Sequence, residues 1–87
     1  MTPKKKYSKG WAIKPQPARK LIKLFEKIGF YGSLDASSHY VMRKPGHEFN
    51  LSIPVHAGKE VRPYIIQKLI KRAGLTRGEY LEMLHEL

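Results

Sequence analysis

Apolar residues recur at two different periods along this 87-residue chain, and the change of period divides it into elements. From Pro17 to Gly29 they recur every three or four positions, which predicts an amphipathic helix with proline at its first position. The apolar positions of this helix are Ala18, Leu21, Ile22, Phe25 and Ile28. Between Phe30 and His56 the period falls to two, which is typical of strands, and from Pro63 the helical period returns.

The alternating segment predicts strands joined by tight turns. Residues 49–56 alternate apolar with polar or small side chains and predict a half-buried strand, whose apolar positions are Phe49, Leu51, Ile53 and Val55. Residues 38–43 predict the strand before it, and a Pro-Gly pair between the two is typical of a turn. Because proline cannot donate to a strand ladder, Pro54 places the later strand at a sheet edge or at its own end. Residues 30–34 form a third candidate strand, which Gly32 weakens.

The last third of the chain predicts two helices. Pro63 is placed to begin the first of them and Gly74 to end it. Thr76 and Glu79 have the spacing of a capping box, which predicts a further short helix to about His85. The predicted fold is therefore α+β: a helix, a three-stranded antiparallel sheet, a helix and a short C-terminal helix. We expect the helices to cover one face of the sheet and to leave the other free.

Positive charge is concentrated at the start of the chain. The formal net charge is +10, and up to Phe25 there are eight cations and no acid, whereas nine cations and seven acids follow. Such a basic block suits a polyanion such as nucleic acid, although it would also serve as a solubilising tail. Residues 1–16 also contain Pro3, Gly10 and Pro15. We therefore predict a poorly ordered basic arm over residues 1–16, followed by a single domain over residues 17–87.

The composition also narrows the function. The chain has no cysteine, which excludes disulfides and thiolate metal sites. Its four histidines are separated by 8, 9 and 29 residues, which matches no compact set of metal ligands, so we expect no metal and no other cofactor. No apolar run approaches the roughly 18 residues of a membrane span. We therefore expect no membrane association and a cytoplasmic location.

His39 is the candidate for chemistry. A neutral imidazole can take the proton of the 2′-hydroxyl of RNA, so a histidine beside positive charge is enough to cut RNA without a metal. By strand parity His39, Val41 and Arg43 share one face of the sheet, so Arg43 is the favoured source of that charge. The other candidates are Lys44, Lys59 and Arg62. The opposing interpretation is that His39 is a surface histidine without a role.

Other polar and aromatic side chains allow two interpretations each. His56 is either a partner acid on the polar face of its strand or a residue that bonds to the backbone and shapes the following turn, and we favour the second. Tyr40 and Tyr64 have the ring surface to stack on RNA bases, but we expect each to cover an edge of the core. His47 and His85 are expected to be exposed to solvent.

An ordered set of short motifs resembles one protein family. The motifs are Gly29-Phe30, Ser38-His39, Ile53-Pro54-Val55-His56, Gly58-Lys59-Glu60 and Lys71-Arg72-Ala73-Gly74-Leu75. In order and spacing they resemble the HicA (YcfA-like) mRNA interferase toxins over about residues 18–75. The resemblance implies a double-stranded-RNA-binding-domain-like fold, ribonuclease activity on mRNA, a HicB-type antitoxin and a catalytic role for His39. The family usually has glycine before the Ser-His pair, where this chain has Ser37, and often basic residues at positions that are Leu34, Asp35 and Ala36 here.

Three functions therefore stay open. The first, which we favour on the resemblance, is a metal-independent endoribonuclease toxin of a type II toxin-antitoxin system, with His39 as general base and acid. Its candidate substrate-binding residues are Ser38, Arg43, Lys44, His56 and Lys59. The second function is a non-catalytic RNA-binding module of the same fold, and the third is a small ribosome-associated protein.

Overall fold

The computed structural model describes residues 12–56 and 58–87, and the first eleven residues of the predicted arm lie outside this part. The elements follow one another as helix, three strands and two helices, which confirms the predicted order. They are α1 (Ala18–Glu26), β1 (Tyr31–Leu34), β2 (His39–Arg43), β3 (Leu51–Pro54), α2 (Pro63–Ala73) and α3 (Arg77–His85).

The helices begin and end close to the predicted residues. Pro17, the predicted first residue of α1, is its N-cap with an extended backbone, so the helix begins one residue later than predicted, at Ala18. Pro63 opens α2, and Gly74 ends it in the left-handed conformation (φ 83°) that favours glycine. The capping box of α3 is present: Glu79 N donates to Thr76 Oγ1 at 3.0 Å, and Thr76 N donates to Glu79 Oε1 at 2.8 Å. These local signals therefore specify both ends of α2 and the start of α3.

The three strands form one antiparallel sheet in the order β1-β2-β3. Pro54 is the last residue of the edge strand β3, which satisfies both predicted placements. Gly32 is a required residue of β1 and does not weaken it, because a Cβ at this position would lie 1.7 Å from the carbonyl oxygen of Val41 on β2. The Tyr40 hydroxyl also donates to the Gly32 carbonyl at 2.9 Å, which ties the two strands together.

One face of the sheet packs against the helices and forms the core. Met42, Leu51 and Ile53 project from this face and are fully buried. They pack with apolar residues of all three helices and of the segments between the elements. The fully buried side chains that α1 and α2 contribute are Leu21, Leu24, Phe25 and Ile66. Since burial on this face is continuous across β2 and β3, the residues that alternate with the buried ones lie on the opposite face.

Phe49 departs from the predicted alternation. β3 begins only at Leu51, and 44% of Phe49 is exposed. Its ring lies outside the core row of the sheet, and the Arg72 guanidinium at the end of α2 lies over it, 5.0 Å from the ring centroid. The prediction that residues 49–56 form one continuous half-buried strand is wrong at its first two and its last two positions, because the strand is limited to Leu51–Pro54.

Residues 12–16, the last part of the predicted arm, approach the domain. Gln16 forms an isolated antiparallel bridge with Val61: Val61 N donates to Gln16 O at 2.7 Å, and Gln16 N donates to Val61 O at 3.2 Å. Ile13 is partly buried against the core. The segment that precedes α1 is therefore joined to the segment that precedes α2.

Candidate functional site

Residues 35–38 join β1 to β2, and residues 36–38 form a three-residue hairpin loop inside the bond between Asp35 and His39. The candidate histidine follows this loop as the first residue of β2. Asp35 N donates to His39 O at 2.8 Å, which closes the hairpin. Ser38 is the last residue of the loop and has a φ of 64°, in the left-handed region where hairpin loops of this length commonly end. The Ser38 carbonyl accepts a hydrogen bond from Val55 N at 2.9 Å, so the loop is also fixed to the residue that follows β3.

The Asp35 carboxylate organises this loop from within. Its Oδ1 accepts hydrogen bonds from the backbone N–H of Ser37 at 2.8 Å, the backbone N–H of His39 at 2.9 Å and the Ser37 hydroxyl at 2.9 Å. These bonds, led by the one from the His39 backbone, lower the pKa of Asp35 below its ordinary value. The acidic residue that departs from the family pattern is therefore a structural part of the loop.

His39 is the first residue of β2 and lies on the sheet face opposite the helices. It is partly exposed, and its register partner on β3 is Pro54. The ring Nδ1 is 3.0 Å from Ser37 Oγ. The ring is thus held from one side by the loop and is not buried beneath the helices.

A shallow depression of about 430 Å³ lies on the β1 side of His39. It is lined by Tyr31, Gly32, Ser33, Leu34, Asp35, Val41 and Arg43. Arg43 shares the face of His39, as strand parity predicts, but four residues of strand separate the two by about 13 Å. Arg43 therefore lies at the far end of the depression from His39, where Tyr31 is its register partner on β1.

A second depression, of about 240 Å³, lies on the β3 side. Its lining includes Pro54, the register partner of His39, together with His56, Lys59, Glu60, Val61, Arg62, Tyr64 and Ile65. The His56 carbonyl accepts a hydrogen bond from Lys59 N at 3.0 Å, and its side chain is exposed. Two of the predicted substrate-binding residues, His56 and Lys59, are thus brought together with Arg62 next to the strand that pairs with His39.

The two tyrosines behave differently. Tyr40 is half-buried against the core and its hydroxyl bonds to Gly32, as expected for a residue that covers a core edge. Tyr64 is 57% exposed at the first turn of α2, with the Lys68 ammonium 6.0 Å from its ring centroid, so the expectation that it covers the core is wrong. Tyr31 is also 57% exposed, so each depression has one exposed tyrosine in its lining.

Two of the predicted substrate-binding residues do not join these depressions. Lys44 follows β2 at the end remote from His39, and its ammonium lies 5.7 Å from the centroid of the Phe30 ring. Parity explains this position, because Lys44 is an odd number of residues from His39 and turns towards the helix side of the sheet. Ser38 is exposed at the apex of the hairpin and contributes its left-handed backbone to the loop.

His47 is a structural residue that sequence reasoning placed in solvent. Its ring packs edge-to-face against Phe30, with centroids 5.2 Å apart, and its Nε2 is 2.6 Å from the carbonyl oxygen of Arg72. Because a carbonyl only accepts, Nε2–H donates this bond. Arg72 Nε in turn donates to Asn50 O at 3.1 Å. These bonds attach the β2–β3 loop to the end of α2. A contact between residues 25 positions apart cannot be predicted from a local sequence motif.

A separate cationic surface lies on the helix layer. A depression of about 640 Å³ runs along the exposed side of α1 and is lined by Pro17, Arg19, Lys20, Lys23, Glu26, Lys27 and Leu87. Since α1 packs on the core face of the sheet, these cations lie on the other side of the molecule from His39. The basicity of the first helix is therefore not part of the histidine site.

Two further properties bear on the class of protein. Within residues 12–56 and 58–87, no group of three or more His, Asp or Glu side chains lies together in a way that would hold a metal ion. None of the described helices has the length and apolar character needed to cross a bilayer.

The fold and the site together define a small α+β domain that carries a histidine on the open face of its sheet, between two depressions. The family model described as the HicA toxin of bacterial toxin-antitoxin systems matches residues 18–75, from the first residue of α1 to just beyond α2. The chain belongs to this family, so it is the toxin of a toxin-antitoxin pair, and an antitoxin is its protein partner. Among curated proteins, none matches the chain.

Proposed function

We propose that this toxin is a metal-independent endoribonuclease that cleaves mRNA with His39 as general base and acid, and that its antitoxin is of the HicB type. The observation that carries the proposal is the position of His39: the residue is partly exposed on the open sheet face, and its neighbours Asp35 on one side and Pro54 on the other each line a depression. Membership of a toxin family supports the same conclusion.

The chemistry follows from the imidazole and the ribose. A neutral ring removes the proton of a 2′-hydroxyl, and the oxygen then attacks the adjacent phosphorus. The bond from phosphorus to the 5′-oxygen breaks, which leaves a 2′,3′-cyclic phosphate on one fragment and a 5′-hydroxyl on the other. The imidazolium returns its proton to the leaving oxygen, so that the proton count balances.

The two depressions supply a path for the RNA across the sheet. Lys59 and Arg62 line the depression that includes Pro54, and their charges would stabilise the negative charge that develops on the reacting phosphate. Arg43, about 13 Å along β2, would bind a flanking phosphate. Tyr31 and Tyr64, each 57% exposed, offer a ring on either side of His39 on which an unpaired base can stack.

A non-catalytic RNA-binding module on the same surface is the second candidate. Both functions require RNA affinity that falls with salt, and four phosphate contacts to a single strand would give a slope of log affinity against log salt near about −3. Salt dependence therefore does not separate the two functions. Cleavage does.

The test of catalysis uses a long mRNA with the purified chain in EDTA, and the His39→Ala variant beside it. We expect fragments with 5′-hydroxyl and 2′,3′-cyclic phosphate ends from the unmodified chain and none from the variant. A short RNA containing the main cleavage site and a single 2′-deoxyribose there should resist cutting at that bond, because the nucleophile is missing. Intact mRNA with the unmodified protein would favour the binding module, and equal cutting by both proteins would remove His39 from the reaction.

The test of the path uses two variants with the same loss of charge. Lys59→Ala with Arg62→Ala removes two cations from the depression that includes Pro54, whereas Lys20→Ala with Lys23→Ala removes two from the exposed side of α1. We expect the first pair to lower the cleavage rate at saturating RNA by about 10-fold or more, and the second pair to change it little. Equal effects from both pairs would mean that total charge, and not its position, determines activity.

A third test uses growth. Expression of the unmodified chain should arrest bacterial growth, His39→Ala should not, and co-expression of the antitoxin should restore growth. Normal growth with abundant folded toxin would contradict the proposal. Co-sedimentation with ribosomes that His39→Ala leaves unchanged, with no cleavage, would instead favour a ribosome-associated protein.

A further inference from the structure

The loop before His39 contains a continuous chain of hydrogen bonds from a carboxylate to the imidazole. Ser37 Oγ is 2.9 Å from Asp35 Oδ1 and 3.0 Å from His39 Nδ1. The same Oδ1 accepts the backbone N–H of His39 at 2.9 Å, so the carboxylate contacts both the main chain of the histidine and, through one hydroxyl, its ring.

The hydrogens available to Asp35, Ser37 and His39 determine the direction of the two side-chain bonds. Each of the two contacts of Ser37 Oγ needs one hydrogen, and a hydroxyl has only one. Asp35 is ionised near neutral pH, since the hydrogen bonds that it accepts lower its pKa, and a carboxylate has no proton to give. The Ser37 hydroxyl therefore donates to Asp35, and the second hydrogen must lie on His39 Nδ1.

The opposite assignment leaves a contact without a proton. If Ser37 donated to Nδ1, its oxygen lone pairs would face the charged Oδ1 at 2.9 Å with nothing between them. That arrangement is repulsive, whereas a hydroxyl-to-carboxylate bond is a charge-assisted one. The neutral ring is thus held with Nδ1 protonated and with the lone pair on Nε2.

We propose that Asp35 and Ser37 are positioning residues that hold His39 in the Nδ1–H tautomer and keep Nε2 as the base. The proposal rests on the proposed ribonuclease function. When Nε2 accepts the proton of the 2′-hydroxyl, the ring becomes an imidazolium whose Nδ1–H already points through Ser37 to a negative charge. The carboxylate thereby stabilises the charged form of the ring without contact with the RNA.

Other charges near this chain of bonds are few in the described part of the molecule. Arg43 lies about 13 Å along the strand, and His56 and Lys59 line the depression beyond Pro54. The hydrogen bonds of the Ser37 hydroxyl within the described residues go to Asp35 Oδ1 and His39 Nδ1, so the carboxylate of Asp35 is the charge in direct contact with this chain of bonds.

The first measurement is made on the protein without RNA. Long-range proton–nitrogen correlation spectra of the nitrogen-15-labelled chain report which ring nitrogen of His39 is protonated. We expect Nδ1–H in the unmodified chain and in Ser37→Thr, which keeps the hydroxyl, and a shift towards Nε2–H, which free histidine prefers, in Ser37→Ala. Predominant Nε2–H in the unmodified chain would overturn the proposal.

The second measurement is the rate of RNA cleavage against pH. Ser37→Ala should lower the rate about 10-fold, Ser37→Thr should regain it, and Ser52→Ala, a serine on the same sheet face, should leave it unchanged. Asp35→Asn should move the acidic limb of the rate profile to lower pH, because an uncharged amide stabilises the imidazolium less well.

The outcomes separate the two proposals. If the unmodified chain cuts RNA but Ser37→Ala cuts equally well with an unchanged pH profile, the positioning role is overturned and the nuclease stands. If the unmodified chain does not cut RNA at all, the nuclease is overturned and the positioning role with it, whichever tautomer the spectra show.

Discussion

Gly32→Ala should separate β1 from β2. A Cβ at residue 32 would lie 1.7 Å from the carbonyl oxygen of Val41 and 2.8 Å from the Cα of Met42, both backbone atoms that cannot rotate away. Carbon and carbonyl oxygen on neighbouring strands approach to about 3.3 Å, so the strands would have to part by about 1.6 Å. Inter-strand bonds near 2.9 Å would then exceed hydrogen-bond length.

The expected loss is about 2–3 kcal/mol, because two or three ladder bonds are broken at about 1 kcal/mol each. That is a large part of the roughly 4–13 kcal/mol expected for a domain of this size. β1 also begins the loop that holds His39, so the cleavage rate should fall with it. Urea unfolding followed by circular dichroism gives the free energy, and hydrogen exchange of the β1 amides shows whether the damage is local.

Gly78→Ala is the matched control. A Cβ at Gly78 would be 4.0 Å from Thr76 Oγ1, an ordinary contact, and the residue lies in α3, where alanine is favoured over glycine by up to about 1 kcal/mol. We expect this variant to be as stable as the unmodified chain or slightly more so. An unchanged urea midpoint for Gly32→Ala, or hydrogen exchange of the β1 amides no faster than in the unmodified chain, would refute the prediction that a Cβ at residue 32 separates the two strands.

Three other substitutions test single features. Tyr80→Phe should raise the free energy of unfolding by about 1 kcal/mol, because the buried hydroxyl has no hydrogen-bond partner within the described residues. Burial also raises the pKa of Tyr80 to about 12, so stability should fall as pH rises from about 10 to 12, and this part of the alkaline loss should vanish in Tyr80→Phe. Ser38→Gly should stabilise by up to about 1 kcal/mol in urea unfolding, since a φ of 64° costs serine more than glycine, and a loss of stability would contradict the assignment. His47→Ala should cost about 2–3 kcal/mol, because the bond to the Arg72 carbonyl and the packing on Phe30 are both lost; a cost below about 0.5 kcal/mol would return His47 to the solvent-exposed role expected from sequence.

Parts of the fold that depend on neighbouring residues were predictable. Pro63, Gly74 and the Thr76–Glu79 pair specify helix ends through bonds within one turn, and all of them act as predicted. Strand parity likewise placed His39 and Arg43 on one face, and the structure has them there. The interpretation of Gly32 as a weakness of β1 was wrong. Glycine is required there because the carbonyl oxygen of Val41, nine residues away, occupies the space that a Cβ would need.

The site shows the same division. The sequence by itself determined the class of fold, the open sheet face and the histidine on it, because periodicity and local hydrogen bonding are properties of short segments. Only the tertiary structure decided that Lys44 turns towards Phe30, that His47 fastens a loop to α2, and that Lys59, Arg62 and Tyr64 meet beside Pro54. Those relations join residues that are distant along the chain, and their geometry exists only once the sheet and the helices have packed. The chain of bonds from Asp35 through Ser37 to His39 has features of both cases. Its residues lie two positions apart in sequence, but the left-handed turn at Ser38 brings the three side chains within reach of one another.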